Sequence, residues 1–287
     1  MPARGPGLTE NDGMSTQKKK TEDSLVIKMF EDPASTDLLH FFEYLILEKF
    51  VSLEKSMTLQ LGCCTKYFND QLLGRMGEWS RLVIIEPSNY LLDSARLDLD
   101  SKAKGKIFFK SDLDWNRLPF DDDVFQAVVS VLFWDKSPNR FRILSEMCRV
   151  LAPSGMALLT AYLRDSMHEF FDIYSEVLTQ FDLAQLVQPL QKVRTMFLAR
   201  SDYEVLAEES GFSTPKVSEH TYTIHFASTR ELFASPLIRS TWLPIWEKIG
   251  GKESERIFWH IRQSLDRYYS GRKIPMTING GLIIAIK

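Results

Sequence analysis

Met57-Thr58-Leu59-Gln60-Leu61-Gly62-Cys63-Cys64-Thr65 is the stretch from which the rest of the chain is read. The first five residues predict an apolar strand and the next four a short turn. Phe68, Leu72, Leu73 and Met76 then recur at helical spacing, predicting a helix that Gly77 would stop. Arg81 to Glu86 follows as a continuous apolar and β-branched run, the kind buried on both faces of a parallel sheet. A strand that opens through a small-residue turn into a helix, with an acid at the tip of the next strand about 20 residues on, is how doubly wound sheets hold the ribose of an adenosine-like ligand. Glu86 stands close to that distance from Gly62. The same residues also fit an ordinary tight strand-to-helix turn with no ligand.

Outward from this unit the pattern continues as alternating elements. Upstream, Ser35-Thr36-Asp37 caps an apolar helix running from Leu38 to Phe50. His40 and Tyr44 on it are read as packing residues rather than ligand contacts. Downstream, a short strand over Ile107 to Phe109 precedes Ser111-Asp112-Leu113-Asp114, where Asp112 is either a ligand acid or a local cap. Leu118-Pro119-Phe120-Asp121-Asp122-Asp123-Val124-Phe125 leads into a strand over Gln126 to Val131. The acidic run reads as a solvated turn, because no further metal ligands accompany it. Pro138 is expected to open a helix with Phe141, Leu144, Met147 and Leu151 on one face, and Met156 to Tyr162 to form the fifth strand. Beyond it come an aromatic, leucine-rich helical region from Met167 to Leu190, a capped helix ending at Gly211, a strand from Lys216 to Phe226, a helical pair from Thr229 to Tyr269, and a closing apolar run after Pro275.

The chain has 287 residues, long enough for one α/β unit with insertions. Hydrophobic residues make up 44% and charged residues 25%, ordinary globular usage that allows a sizeable core. A net charge of −3 supplies no global basic field, which argues against nucleic acid as a partner. Three cysteines without framework or metal-ligand spacing point to a reducing compartment and to no metal site. Residues 1–30 read as a disordered tail, with Lys18-Lys19-Lys20 solvated and neither a secretory apolar run nor an acid-poor transit segment, so the expected location is cytoplasmic. With no run of about 18 apolar residues, a membrane span is not expected.

Leu59-Gln60-Leu61-Gly62-Cys63-Cys64-Thr65-Lys66 resembles the first motif of class I S-adenosylmethionine (SAM) dependent methyltransferases, which reads acid, apolar, Gly, any, Gly, any, Gly. Gly62 is kept; Gln60 replaces the acid, and Cys64 and Lys66 replace the later glycines. Leu118-Pro119-Phe120 with the following acids and Phe125-Gln126 resembles the same family's fourth-strand motif, with Gln126 for Asp. Arg149-Val150-Leu151-Ala152-Pro153-Ser154-Gly155 resembles its Arg-Val-Leu-Lys-Pro-Gly-Gly. The chain's end is loosely similar to the biotin-pathway malonyl-carrier O-methyltransferases.

The resemblance implies an α/β fold: a doubly wound, mostly parallel seven-stranded sheet, Rossmann-like, filling residues 31–287, with helical lid insertions near residues 165–200 and 229–270. It implies SAM as cofactor, with contacts at Gly62, Cys64, Glu86, Pro87, Asp112, Leu113, Ser130 and Val131, and leaves the catalytic base unassigned. The substrate would be a small-molecule or carrier-linked acid, held by Arg194, Arg200 or Arg239 in an apolar cavity under the lid. The departures at Gln60, Cys64, Lys66, Gln126 and Ser154 leave open a second reading, a catalytically silent fold that binds a protein partner.

Overall fold

The computed structural model describes residues 24–51, 54–97 and 105–287. Seven strands form one sheet: β1 (Met57–Leu61), β2 (Arg81–Ile85), β3 (Ile107–Lys110), β4 (Phe125–Val131), β5 (Leu151–Tyr162), β6 (Ser213–Phe226) and β7 (Ile274–Ile286). Their order is β3-β2-β1-β4-β5-β7-β6. Strands β1 to β5 pair in parallel, and β7 is antiparallel to both β5 and β6. The sheet is therefore mostly parallel, with β7 the reversed strand.

The alternation of side chains along each strand divides the core between two faces. Leu82, Ile84, Val129 and Leu158 join one apolar cluster with α2 (Pro33–Lys49) and α3 (Lys66–Arg75). Leu59, Leu61, Val83, Ile85, Val128 and Leu159 join the other with α5 (Arg140–Val150) and α8 (Arg200–Glu209). Helices on both faces are what buried parallel strands require, since neither face can be left to water. The first face also carries α4 (Asn89–Leu97), α6 (His168–Gln180), α7 (Val187–Arg194), α9 (Thr229–Ala234), α10 (Leu243–Gly250) and α11 (Ser254–Tyr268), whose apolar residues extend the same cluster.

Several boundaries differ from the sequence reading. A helix, α1, already spans residues 24–31 and buries Met29, so ordered structure begins inside the expected tail; residues 1–23 lie outside the described residues. Helix α5 starts at Arg140 rather than Pro138, because the Asn139 side chain accepts from the Arg142 N–H at 3.0 Å and caps it there. Strand β5 starts at Leu151, and Ser154 at φ 64° lies on its irregular early part. The expected helical pair after Thr229 is three helices with a π-helical turn over Ile238–Trp242. Among the described residues no helix is long and apolar enough to cross a membrane.

The space where a lid was expected to enclose a cavity is filled by side chains. Phe170 stacks on Trp246 at 3.5 Å between ring centroids, and Trp242 packs against Tyr162 and Phe197 at 5.3 and 4.9 Å. These rings are buried, so α6, α10 and the π turn form core on this face.

Candidate functional site

The carboxyl ends of β1, β2 and β4 meet at Gly62. Its N–H donates to the Ile85 carbonyl at 2.9 Å, and its φ of 86° lies in the left-handed region that an L side chain adopts only with strain. The chain then rises to Thr65, whose hydroxyl accepts from the Phe68 N–H at 3.1 Å and caps α3. Glu43 reaches across from α2 and accepts from the Thr65 N–H and hydroxyl at 2.9 and 2.7 Å. Burial pushes the Glu43 carboxyl up to about 7, against the lowering effect of these two hydrogen bonds.

Glu86 follows β2 directly and is 3% exposed. One carboxylate oxygen accepts from the Cys63 N–H at 3.3 Å and the other from the Ser88 N–H at 3.0 Å, so the group is aimed across the Gly62 turn. Half-buried Pro87 sits beside it. Gly62 and Glu86 are thus brought together as the sequence predicts.

The other expected contacts part company. Asp112 lies beyond β3 at the surface, in an ion pair with Lys110 at 3.4 Å, and Leu113 packs at the margin of the second core. Ser130 is buried; its hydroxyl donates to the Leu61 carbonyl at 3.0 Å and accepts from the Trp134 N–H at 3.2 Å, so it ties β4 to β1 beside the turn. Val131 and Cys64 both turn into the core shared with α2, where burial holds the Cys64 thiol well above its ordinary pKa. Neither therefore crowds the ligand side.

Three more departures from the motif have local explanations. Lys66 points along the surface of α3 to Asp70, at 3.0 Å. Gln126 accepts from the Met57 N–H at 2.7 Å and fixes β4 against the start of β1. Gln60 is buried and donates to the Gly62 carbonyl at 3.1 Å, closing the turn that an acid at this position would repel.

Sequence reading missed the residues after β4. Phe133 lies so close to Gly62 that a Cβ there would sit 2.4 Å from its Cγ. Trp115 stacks on Phe133 at 5.3 Å, and the Lys136 Nζ is 5.6 Å from the same ring, within electrostatic reach of Glu86. The 3-10 turn Trp134–Lys136 is pinned by Asp135, which pairs with Arg140 and accepts from the Tyr203 hydroxyl at 3.2 Å. The sheet order exposes the signal: β4 borders β1, so residues just past Val131 must border the Gly62 turn.

The expected acid-binding arginines do not converge. Arg194 pairs with Asp165 and Asp172 at 3.4 and 3.1 Å, Arg200 with Glu204 at 3.2 Å, and Arg239 is exposed. Arg194 lines a polar surface groove of about 600 Å³ with Asp172, Glu176 and Arg267. Among the described residues, no group of three or more His, Cys, Asp or Glu side chains is gathered to hold a metal.

A methyltransferase-domain family model matches residues 59–159, from β1 to β5. The chain is 24% identical over 178 residues to the biotin biosynthesis bifunctional protein BioHC of Teredinibacter turnerae. That stretch is 61% of this chain and 29% of the relative, so the chain spans less than a third of that protein's length. In fold it is similar to the YcgJ protein of Bacillus subtilis, with a TM-score of 0.58 at 13% identity over 86% of this chain and 98% of the other. It is also similar to a candidate methyltransferase from Bacillus halodurans C-125, with a TM-score of 0.54 at 16% identity over 85% and 98%. The methyltransferase-domain match is confined to β1 through β5, and the likeness to the two solved structures is one of fold.

Proposed function

We propose that the chain is a SAM-dependent methyltransferase acting on a small-molecule or carrier-linked acid in a reducing, cytoplasmic setting. The observation that carries the cofactor assignment is the Glu86 carboxylate, buried, oriented by the Cys63 and Ser88 N–H groups and aimed over Gly62. A buried acid at the end of the second strand is placed as ribose-binding acids of doubly wound sheets are, and the left-handed Gly62 lets the backbone come close to a ligand. SAM when bound supplies a methyl on a positively charged sulfur; as an acceptor oxygen forms the new C–O bond, the old C–S electron pair stays on sulfur.

The protein's part is positioning, which alone accounts for much of the barrier in such transfers. Glu86 would fix the ribose, and the Thr65–Glu43 contact holds the turn and α3 in register beneath it. Lys136, just past β4, would hold the acid group of the acceptor, since Arg194 and Arg200 pair with surface acids and Arg239 does not converge with them. A lid role for α6, α7 and α9 to α11 would require these helices to shift from their packed arrangement.

The silent alternative rested on motif departures. Cys64 is core, Lys66 pairs with Asp70, and Gln126 and Gln60 close backbone hydrogen bonds, so none of these four argues for lost chemistry. The test is transfer of a labelled methyl from SAM to a panel of free and carrier-linked carboxylic acids. Alkali-labile label in the product supports the assignment, and no transfer to any acid refutes this substrate class.

A further inference from the structure

Strand β6 is 14 residues long and lies at one edge of the sheet, where β7 is its one neighbour among the described strands. The direction of its backbone groups follows from β7. There the Thr277 and Asn279 N–H groups donate away from β6, to the Glu169 carboxylate at 2.9 Å and the Ser166 hydroxyl at 3.0 Å. Backbone groups alternate in direction along an antiparallel strand, so the even-numbered residues of β7 are the ones bonded to β6. Their partners in register, Ser218, His220, Tyr222 and Ile224 opposite Leu282, Gly280, Ile278 and Met276, are the even-numbered residues of β6. The odd-numbered residues of β6 therefore turn their N–H and C=O groups outward. The chain closes this free edge at its two ends: the Val217 N–H donates to the Glu204 carboxylate at 3.1 Å, and just past the strand the Ala227 N–H donates to the Glu231 carboxylate at 2.7 Å. Between the two acid caps, Glu219, Thr221, Thr223 and His225 present an open ladder of the kind that templates pairing with another strand.

We propose that residues 219–225 are a self-association edge: a second copy of the chain pairs its own β6 here, antiparallel across a two-fold axis at Tyr222, and joins two sheets into one. The acid caps set this register. Val217 and Ala227 are equally far from Tyr222 along the chain, so an axis there places cap opposite cap and leaves the open residues facing one another. Glu219 then stands opposite the partner's His225, and Thr221 opposite the partner's Thr223. A carboxylate against an imidazole and a β-branched pair are both favourable cross-strand neighbours, and no like charges meet. These pairs also exchange the outward N–H and C=O groups. Such a patch complements itself, as the interface of a two-fold dimer must. Strands β4, β5 and β7 lie between this edge and β1, so pairing leaves the Gly62–Glu86 turn open in both copies.

The test is sedimentation velocity of the full chain over a concentration series, for wild type, Thr221→Pro and Thr223→Pro, with circular dichroism and thermal unfolding as the check on folding. Proline is tolerated on an edge strand where the missing N–H faces outward, so each substitution removes one outward donor and keeps the pairing of β6 with β7. Wild type is expected to sediment at, or to move with concentration toward, twice the 33.2 kDa of the chain, and both proline variants to stay monomeric. Cysteine substitutions test the register. Residues facing each other across the axis at Tyr222 form a pair without backbone bonds, with Cα atoms roughly 4.5 Å apart and within reach of a disulfide. Mild oxidation should therefore link Tyr222→Cys into a covalent dimer and leave Ser218→Cys unlinked. A wild type that is monomeric at every concentration overturns the proposal, as does a dimer that persists in either folded proline variant. Linking of Ser218→Cys as readily as Tyr222→Cys overturns it too. Should both proline variants fail to fold, wild-type sedimentation and the two cysteine variants decide by the same criteria.

Discussion

Glu43→Gln tests how the ligand-facing turn is held and how that hold depends on pH. Glu43 is fully buried on α2, and both of its oxygens engage Thr65 at the start of α3. Burial raises its carboxyl from 4.5 to about 7. A folded-state pKa above the unfolded one means that the native state keeps a proton the unfolded chain has released. The native state is therefore favoured most below about pH 4.5, loses stability as pH rises from there to about 7, and is level above. At 1.36 kcal/mol per pH unit, the span from 4.5 to about 7 gives about 3 kcal/mol across that window. Glutamine does not titrate, yet its oxygen still accepts from the Thr65 N–H and its amide still faces the hydroxyl. The variant should match wild type near pH 4.5 and exceed it by up to about 3 kcal/mol at pH 8. Urea unfolding of both proteins at several pH values between 4.5 and 8 measures this, and their difference removes every other titrating group. A difference that does not change with pH, or one that shifts toward wild type as pH rises, refutes the reasoning.

Two other substitutions test separate parts of the account. Lys66→Gly removes an exposed pair with Asp70 and places glycine in the first turn of α3, so it should cost about 1 kcal/mol in chemical denaturation and leave SAM affinity within about twofold; a large gain in affinity would mean the lysine faces the ligand. Arg149→Leu strips the guanidinium from nearly buried Glu146 and from the Leu118 and Phe120 carbonyls, and should lower stability by about 3 kcal/mol. A thermal midpoint unchanged by Arg149→Leu would show that this network contributes nothing net.

The sheet was legible because its strands carry their own signal: the runs at Arg81–Ile85 and Phe125–Val131 are apolar on both faces, and only a buried parallel sheet accepts that. Glu86 was legible because its position depends on spacing within a single βαβ unit. Asp112 was not, because an acid after a strand can cap, pair or bind with the same local sequence, and here it pairs with Lys110. The directions of Cys64, Lys66 and Ser130 depend on which face of the turn each residue leaves by, which one residue of register decides. Phe133 reaches Gly62 only through the adjacency of β4 and β1, more than 60 residues apart in the chain, which local patterning does not encode. The filled space under α6 and α10 likewise reflects long-range aromatic packing that a helical, leucine-rich composition left unspecified.

The central claim, that Gly62 and Glu86 form a SAM site, is tested most directly by calorimetric titration of SAM into wild type and Glu86→Ala. Loss of a carboxylate that accepts ribose hydrogen bonds should weaken binding by roughly 1.5–3 kcal/mol, about ten- to a hundredfold. Wild-type binding that falls by that factor in the variant is the predicted result; equal affinity in a folded Glu86→Ala protein would contradict it.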